Sequence, residues 1–137
     1  MALERLHVTL VFWDGPRSGI ADFQGTPHHF ECELDATGNE YAETYVMTQA
    51  ADELVVLARE HETIREDWWR AYQSGEASAQ SNPQRLGQNP RLAELEKLIE
   101  ARIAAAPAPS FRVRGAFHAF PNAPVGEVYK VEWRPLV

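Results

Sequence analysis

The stretch from Asp14 to Phe30, DGPRSGIADFQGTPHHF, limits what this chain can fold into more than any other. It reads as two reversals separated by one short strand. Gly15 precedes Pro16 and is pushed toward extended backbone, while Pro16 carries the fixed φ suited to the second position of a type I or II turn. The strand before it must therefore stop. Ile20 to Phe23 is too short for a helix and runs into Gln24-Gly25, where glycine takes positive φ without steric cost. Pro27 opens a third strand, where its missing N–H does least harm to a ladder. The expected product is a three-stranded antiparallel meander.

Strand periodicity surrounds these turns. Leu6, Val8, Leu10 and Phe12 alternate with His7, Thr9, Val11 and Trp13, a period of two. The second set turns apolar only at Val11 and Trp13, so the far end of this strand is expected to be covered on both faces, with something packed over Trp13. In the third strand His28, Phe30, Cys32 and Leu34 share the expected core face, and His29, Glu31, Glu33 and Asp35 the other. Ala36 to Asn39 has loop chemistry, and Tyr41 to Met47 reads as a fourth strand.

The period then changes. Between Ala51 and Tyr72, apolar residues including Leu54, Ala58, Ile64 and Trp68 recur at spacings of three and four, predicting an amphipathic helix. The connection at about 74–89 is polar, long and expected to be exposed, a type of segment that is often functional. Asn89-Pro90 has the chemistry of an N-cap and first helical residue, and Leu92, Leu95, Ile99 and Ile103 give a second helix its stripe. Phe111 to Phe120 and Glu127 to Trp133 alternate again and predict a hairpin. It is expected beside the meander, because a lone hairpin is marginal in water. Residues 1–137 are read as one α+β domain: an antiparallel sheet, from amino-terminal meander and carboxy-terminal hairpin, with two intervening helices packed on one face.

The formal net charge is −7, which argues against nucleic acid or an anionic membrane as partner. Cys32 is the only cysteine, so no intrachain disulfide forms. The opening MALERLHVTLVFW lacks the basic start and unbroken apolar core of a signal peptide, and no stretch approaches the roughly 20 apolar residues of a span. The cytoplasm is the expected location.

The pattern Asp14-Gly15-Pro16, Ser18-Gly19, Ala21, Phe23, Gly25 and Pro27-His28, followed by a helix bearing Trp68-Trp69 and Gly75-Glu76, resembles a family of small bacterial proteins to which no activity is assigned. The resemblance spans the first half to two thirds of the chain. It implies a shared fold and supplies no functional residue.

Candidate chemistry is sparse. His28, His29 and Cys32 invite a metal reading, but His29 points away from the other two in an extended strand, and the paired ligand spacings of a zinc site are absent. Cys32 as a small buried side chain and His28 as a hydrogen-bonded strand-start residue explain both, so no metal or cofactor is expected. Ser18 and Cys32 have no nucleophile motif around them. Glu31, Glu33 and Asp35 are placed for ion pairs with Arg112 and Arg114 if their strands are neighbours. Arg114 to Phe120 matches an RNA-recognition strand poorly, and Gly115 is better explained by a bulge or a close backbone approach.

The aromatic load of Trp13, Trp68, Trp69, Tyr72 and Trp133 is heavy, and adjacent tryptophans cannot both lie on one narrow helical stripe. Trp69 is thus a candidate interface anchor. The reading adopted is a binding or accessory protein whose partner is another protein or a second copy, as a homodimer. Its competitor is a small-molecule or metal-dependent enzyme with a site near Asp14, Arg17, His28 and His118. A concave polar pocket at those four residues favours the enzyme, and a flat apolar patch near Trp69 favours the partner.

Overall fold

The strands turn where backbone becomes left-handed: Asp14 and Gly15 have φ of 54° and 117°, and Gln24 and Gly25 have 52° and 77°. The computed structural model describes residues 2–124 and 126–136. Its elements run β1 (Glu4–Phe12), β2 (Pro16–Phe23), β3 (Thr26–Leu34), β4 (Tyr41–Gln49), α1 (Asp52–Gln73), a 3-10 turn (Ala79–Ser81), α2 (Pro90–Ala104), β5 (Phe111–Ala119) and β6 (Tyr129–Arg134). Pro16 opens β2 rather than occupying a turn. The first reversal is made by Asp14 and Gly15, stapled by Arg17, whose Nε donates to the Trp13 carbonyl at 2.7 Å and Nη2 to that of Asp14 at 3.1 Å.

The sheet is not open. Each strand pairs antiparallel with the next, and β6 returns to β1 through Glu4 opposite Val131 and Arg5 opposite Lys130, closing a six-stranded barrel. The expected open sheet with helices on one face is corrected accordingly: the hairpin joins β4 on one side and β1 on the other. Bulges help the sheet curl. Along β1 the register moves from Leu6 opposite Ala21 to Val8 opposite Ile20, two residues against one, and again between Thr9 and Val11.

The first bulge also divides the apolar set of β1. Leu6 and Ala21 pack inside the barrel with Phe30, Cys32, Tyr45, Met47, Val113 and Val131. Val8 and Ile20 face outward and form a second core with Leu54, Ala58, Leu95 and Ile99 of the helices. The alternation expected to place Leu6 and Val8 on one face fails because one inserted residue reverses a period of two. Inside, the rings of Phe30, Tyr45, Phe117 and Trp133 meet at centroid separations between 5.2 and 6.0 Å. Aromatic pairs at such spacing add about 0.5–1.5 kcal/mol each beyond burial.

Helix α2 starts as its sequence predicts, Asn89 Oδ1 accepting from the Leu92 N–H at 2.9 Å with Pro90 in the first turn. Among the described residues no helix is long and apolar enough to cross a membrane.

Candidate functional site

Helix α1 runs in the same direction as β1 and lies along its edge. Arg59 Nη2 lies 3.5 Å from His7 Nδ1, Glu62 accepts from the Thr9 N–H at 2.7 Å, and Arg65 Nη2 donates to the Thr9 carbonyl at 2.5 Å. The last turns of α1 consequently reach the end of the barrel where β1 finishes and the Trp13–Gly15 turn sits.

That end carries the exposed aromatic surface. Trp13 is 72% exposed, Phe12 54% and Trp69 51%. Trp69 and Tyr72 stack at 5.9 Å and 20°, and Trp68 and Tyr72 at 5.0 Å and 26°. Trp68 is tied to the connection that follows, its Nε1–H donating to Ser81 Oγ at 3.1 Å. Among the described residues none covers Trp13, against expectation: it stands on the turn that ends β1 and stays largely open to solvent. The same end opens into the barrel mouth, a recess of about 400 Å³ whose lining includes Phe12, Arg17, Tyr45, Phe117 and Tyr129. Arg17 stands 4.7 Å over the Tyr41 ring and 3.9 Å from Cys32 Sγ. Burial, and then the neighbouring Cys32, pushes the Tyr45 phenol above its ordinary range.

Asp14, Arg17, His28 and His118 do not converge. Asp14 and Arg17 line this mouth. His28 is buried toward the opposite end, packed on Phe23 and Phe111, with Nδ1 2.8 Å from the Thr26 carbonyl. It stands four residues from Cys32 on the same strand, roughly 13 Å at the rise of an extended chain. His118 lies on the outer wall, 3.9 Å from Glu132. Among the described residues no group of three or more histidine, cysteine or acidic side chains is arranged to hold a metal ion. Arg112 pairs with Glu33 at 2.6 Å across the intervening β4, so β3 and β5 are next neighbours rather than neighbours.

A further concavity was not apparent in the sequence. Between α2 and the outer wall of the barrel lies a cleft of about 560 Å³, lined in part by Leu10, Ser18, His29, Glu31, His61, Gln84, Glu96, Ile99, Glu100 and Ile103. Ser18 and His29 come from β2 and β3, and Ser18 pairs with Glu31, which shares the outward face with His29. Ser18 Oγ lies 3.3 Å from His29 Nε2. His29 is only 5% exposed although its strand pattern put it on the solvent face. Burial lowers its pKa to about 4, leaving it neutral at pH 7. That value makes it a weak proton acceptor, far from the near-neutral pKa that general-base activation of Ser18 would need.

At the other side of the cleft, Arg65 Nε donates to His61 Nδ1 at 3.1 Å, so His61 Nε2 bears the proton and donates to Glu96 Oε1 at 3.3 Å. Burial, and then the Arg65 charge, lowers the His61 pKa. His61 is thus a buried histidine with both ring nitrogens hydrogen-bonded.

Fold and surfaces together define a six-stranded antiparallel barrel with a helical hairpin on its wall, an aromatic end and a polar lateral cleft. Compared with known protein families, with characterised proteins and with solved structures, the chain matches none.

Proposed function

We propose that this chain binds a protein partner with a basic surface, and that the aromatic end of the barrel is the contact. The carrying observation is the exposure of Trp69, half open to solvent while stacked on Tyr72. Tryptophan and tyrosine are the residues that most often dominate interface energies, and apolar surface gathered at one end gains by being covered. Trp13 and Phe12 extend the same end of the molecule.

Charge selects the occupant. At a net −7, two copies repel at long range, whereas a cationic partner is steered in. Homodimerisation is the reading that this charge disfavours. The competing enzyme reading draws no support from Asp14, Arg17, His28 and His118, which are spread over the mouth, the far end and the outer wall.

Trp13→Ala and Trp69→Ala test the proposal, alone and combined. Both side chains are largely outside the core, so stability should stay within about 0.5 kcal/mol of the parent. A photocrosslinker at position 72 in the native host should trap a basic protein. Rebuilt from purified components, the complex should weaken at least tenfold on either change, as for loss of an interface anchor. Sedimentation showing a dimer abolished by the same changes would replace that partner with a second copy. Loss of the fold on Trp69→Ala would return Trp69 to the core and end the proposal.

A further inference from the structure

The lateral cleft carries a separate inference, which stands whether or not the aromatic end binds a protein. His29 is its central residue, more than nine-tenths buried yet lining the cleft and the adjoining recess beside Pro107. Among the described residues every buried side-chain nitrogen or oxygen has a hydrogen-bond partner. His29 Nε2 is met by Ser18, and none of the described residues bonds Nδ1. Nδ1 therefore meets open space, in the cleft or in the recess that adjoins it, as a polar atom on a buried ring whose other nitrogen is engaged by Ser18.

The surroundings define the ligand's chemistry. Glu31 and Glu100 line the cleft, and neither has an ion-pair partner among the described residues. Leu10, Ile99 and Ile103 give it an apolar side. Among the described residues no arginine or lysine lines it. An uncharged imidazole has one donor and one acceptor nitrogen. When Nε2–H donates to Ser18 Oγ, Nδ1 is the acceptor, the tautomer that a cationic N–H donor selects.

We propose that this cleft binds a primary ammonium group on a short alkyl chain, with the cation held by His29 Nδ1, Glu31 and Glu100 and the chain along Leu10, Ile99 and Ile103. Two sources share this chemistry: a free diamine and the lysine side chain of a peptide. An anionic ligand of the same shape is repelled by the two carboxylates and a neutral one leaves their charge without a partner, and this difference provides the selectivity.

The test uses the whole chain at low salt with 1,4-diaminobutane, N-acetyl-lysine amide and the neutral isostere 1,4-butanediol, followed by calorimetry and the His29 ring resonances. An amine should bind with a shift of the His29 ring, and the diol should not. Glu31→Gln with Glu100→Gln should weaken the amine at least tenfold, while Glu40→Gln, an exposed charge elsewhere, should change it less than twofold. The tighter of the two amines identifies the source. The proposal fails if neither amine binds, if the His29 ring does not respond, if the diol binds as well, or if Glu40→Gln weakens binding as much as the cleft changes. These carboxylates are exposed, so their amides leave the fold in place to be read.

Discussion

Arg65 donates to the backbone carbonyl of Thr9 at 2.5 Å, and one turn earlier Glu62 accepts from the N–H of the same residue at 2.7 Å. The paired register of β1 with β6 covers only Glu4 and Arg5, so these groups lie on an edge left open by the strands. Two side chains of α1 supply what a seventh strand would otherwise provide. An open edge is a template for another chain, and here a helix blocks it. The same contacts set α1 parallel to β1, which brings the aromatic residues of its last turns to the end of the barrel that bears Trp13.

Arg65→Met should therefore destabilise the protein by about 1–3 kcal/mol, the cost of leaving a partly buried backbone acceptor unmatched. Urea unfolding measures the loss. Hydrogen exchange at the Thr9 amide should quicken in Glu62→Leu, which removes its acceptor. Unchanged stability and unchanged exchange would mean that water already serves this edge and that α1 does not seal it.

His29 predicts a pH dependence. Its pKa is lowered by burial from 6.5 to about 4, so between those values the unfolded chain holds the extra proton. Stability from this group is complete above the unfolded value and is lost as pH falls through the folded one, by roughly 3 kcal/mol in all. His61, also lowered, acts in the same sense. Glu62, raised mainly by burial, acts in the opposite sense and loses its contribution as pH rises. The diagnostic is thus a difference: His29→Gln should flatten the stability profile between about pH 6.5 and 4 relative to the parent. An NMR midpoint for the His29 ring near its ordinary value would refute the assignment.

Two glycines should differ in what they tolerate. A methyl group on Gly19 would collide with the Val8 carbonyl oxygen, a backbone atom of the neighbouring strand, and press on Phe30 at 3.2 Å. On Gly115 it would meet the Trp133 ring and approach Tyr45 at 3.0 Å. Rings can shift where a paired strand cannot. Gly19→Ala should cost about 3 kcal/mol or more and Gly115→Ala about 1–3, the range for overpacking a filled core. Denaturant midpoints in the reverse order would show that β1 yields more easily than the interior aromatic cluster.

Much of the chain's local order was legible because its causes are local. Gly25 takes the positive φ that its turn requires, Asn89 caps α2, and the two strands expected from alternation over Phe111–Phe120 and Glu127–Trp133 form, with Val113, Val131 and Trp133 turned inward. Gly115 shows neither the bulge nor the close backbone approach expected of it: its register with β6 is regular, and what lies against it is the Trp133 ring. His28 is the hydrogen-bonded strand-start residue its position suggested.

The order and type of the elements, and the apolar faces of most of them, follow from turn chemistry and periodicity, which act over a few residues. Tertiary structure decided barrel closure, because the pairing of Glu4 with Val131 joins opposite ends of the chain and depends on accumulated curl. It also decided which face of β1 Val8 uses, because one bulge reverses the alternation without any residue type announcing it. The burial of His29 belongs to the same class. Its neighbours Glu31 and Glu33 mark a solvent face, and only the placement of α2 over the barrel wall encloses His29 beside Ser18 and creates the cleft.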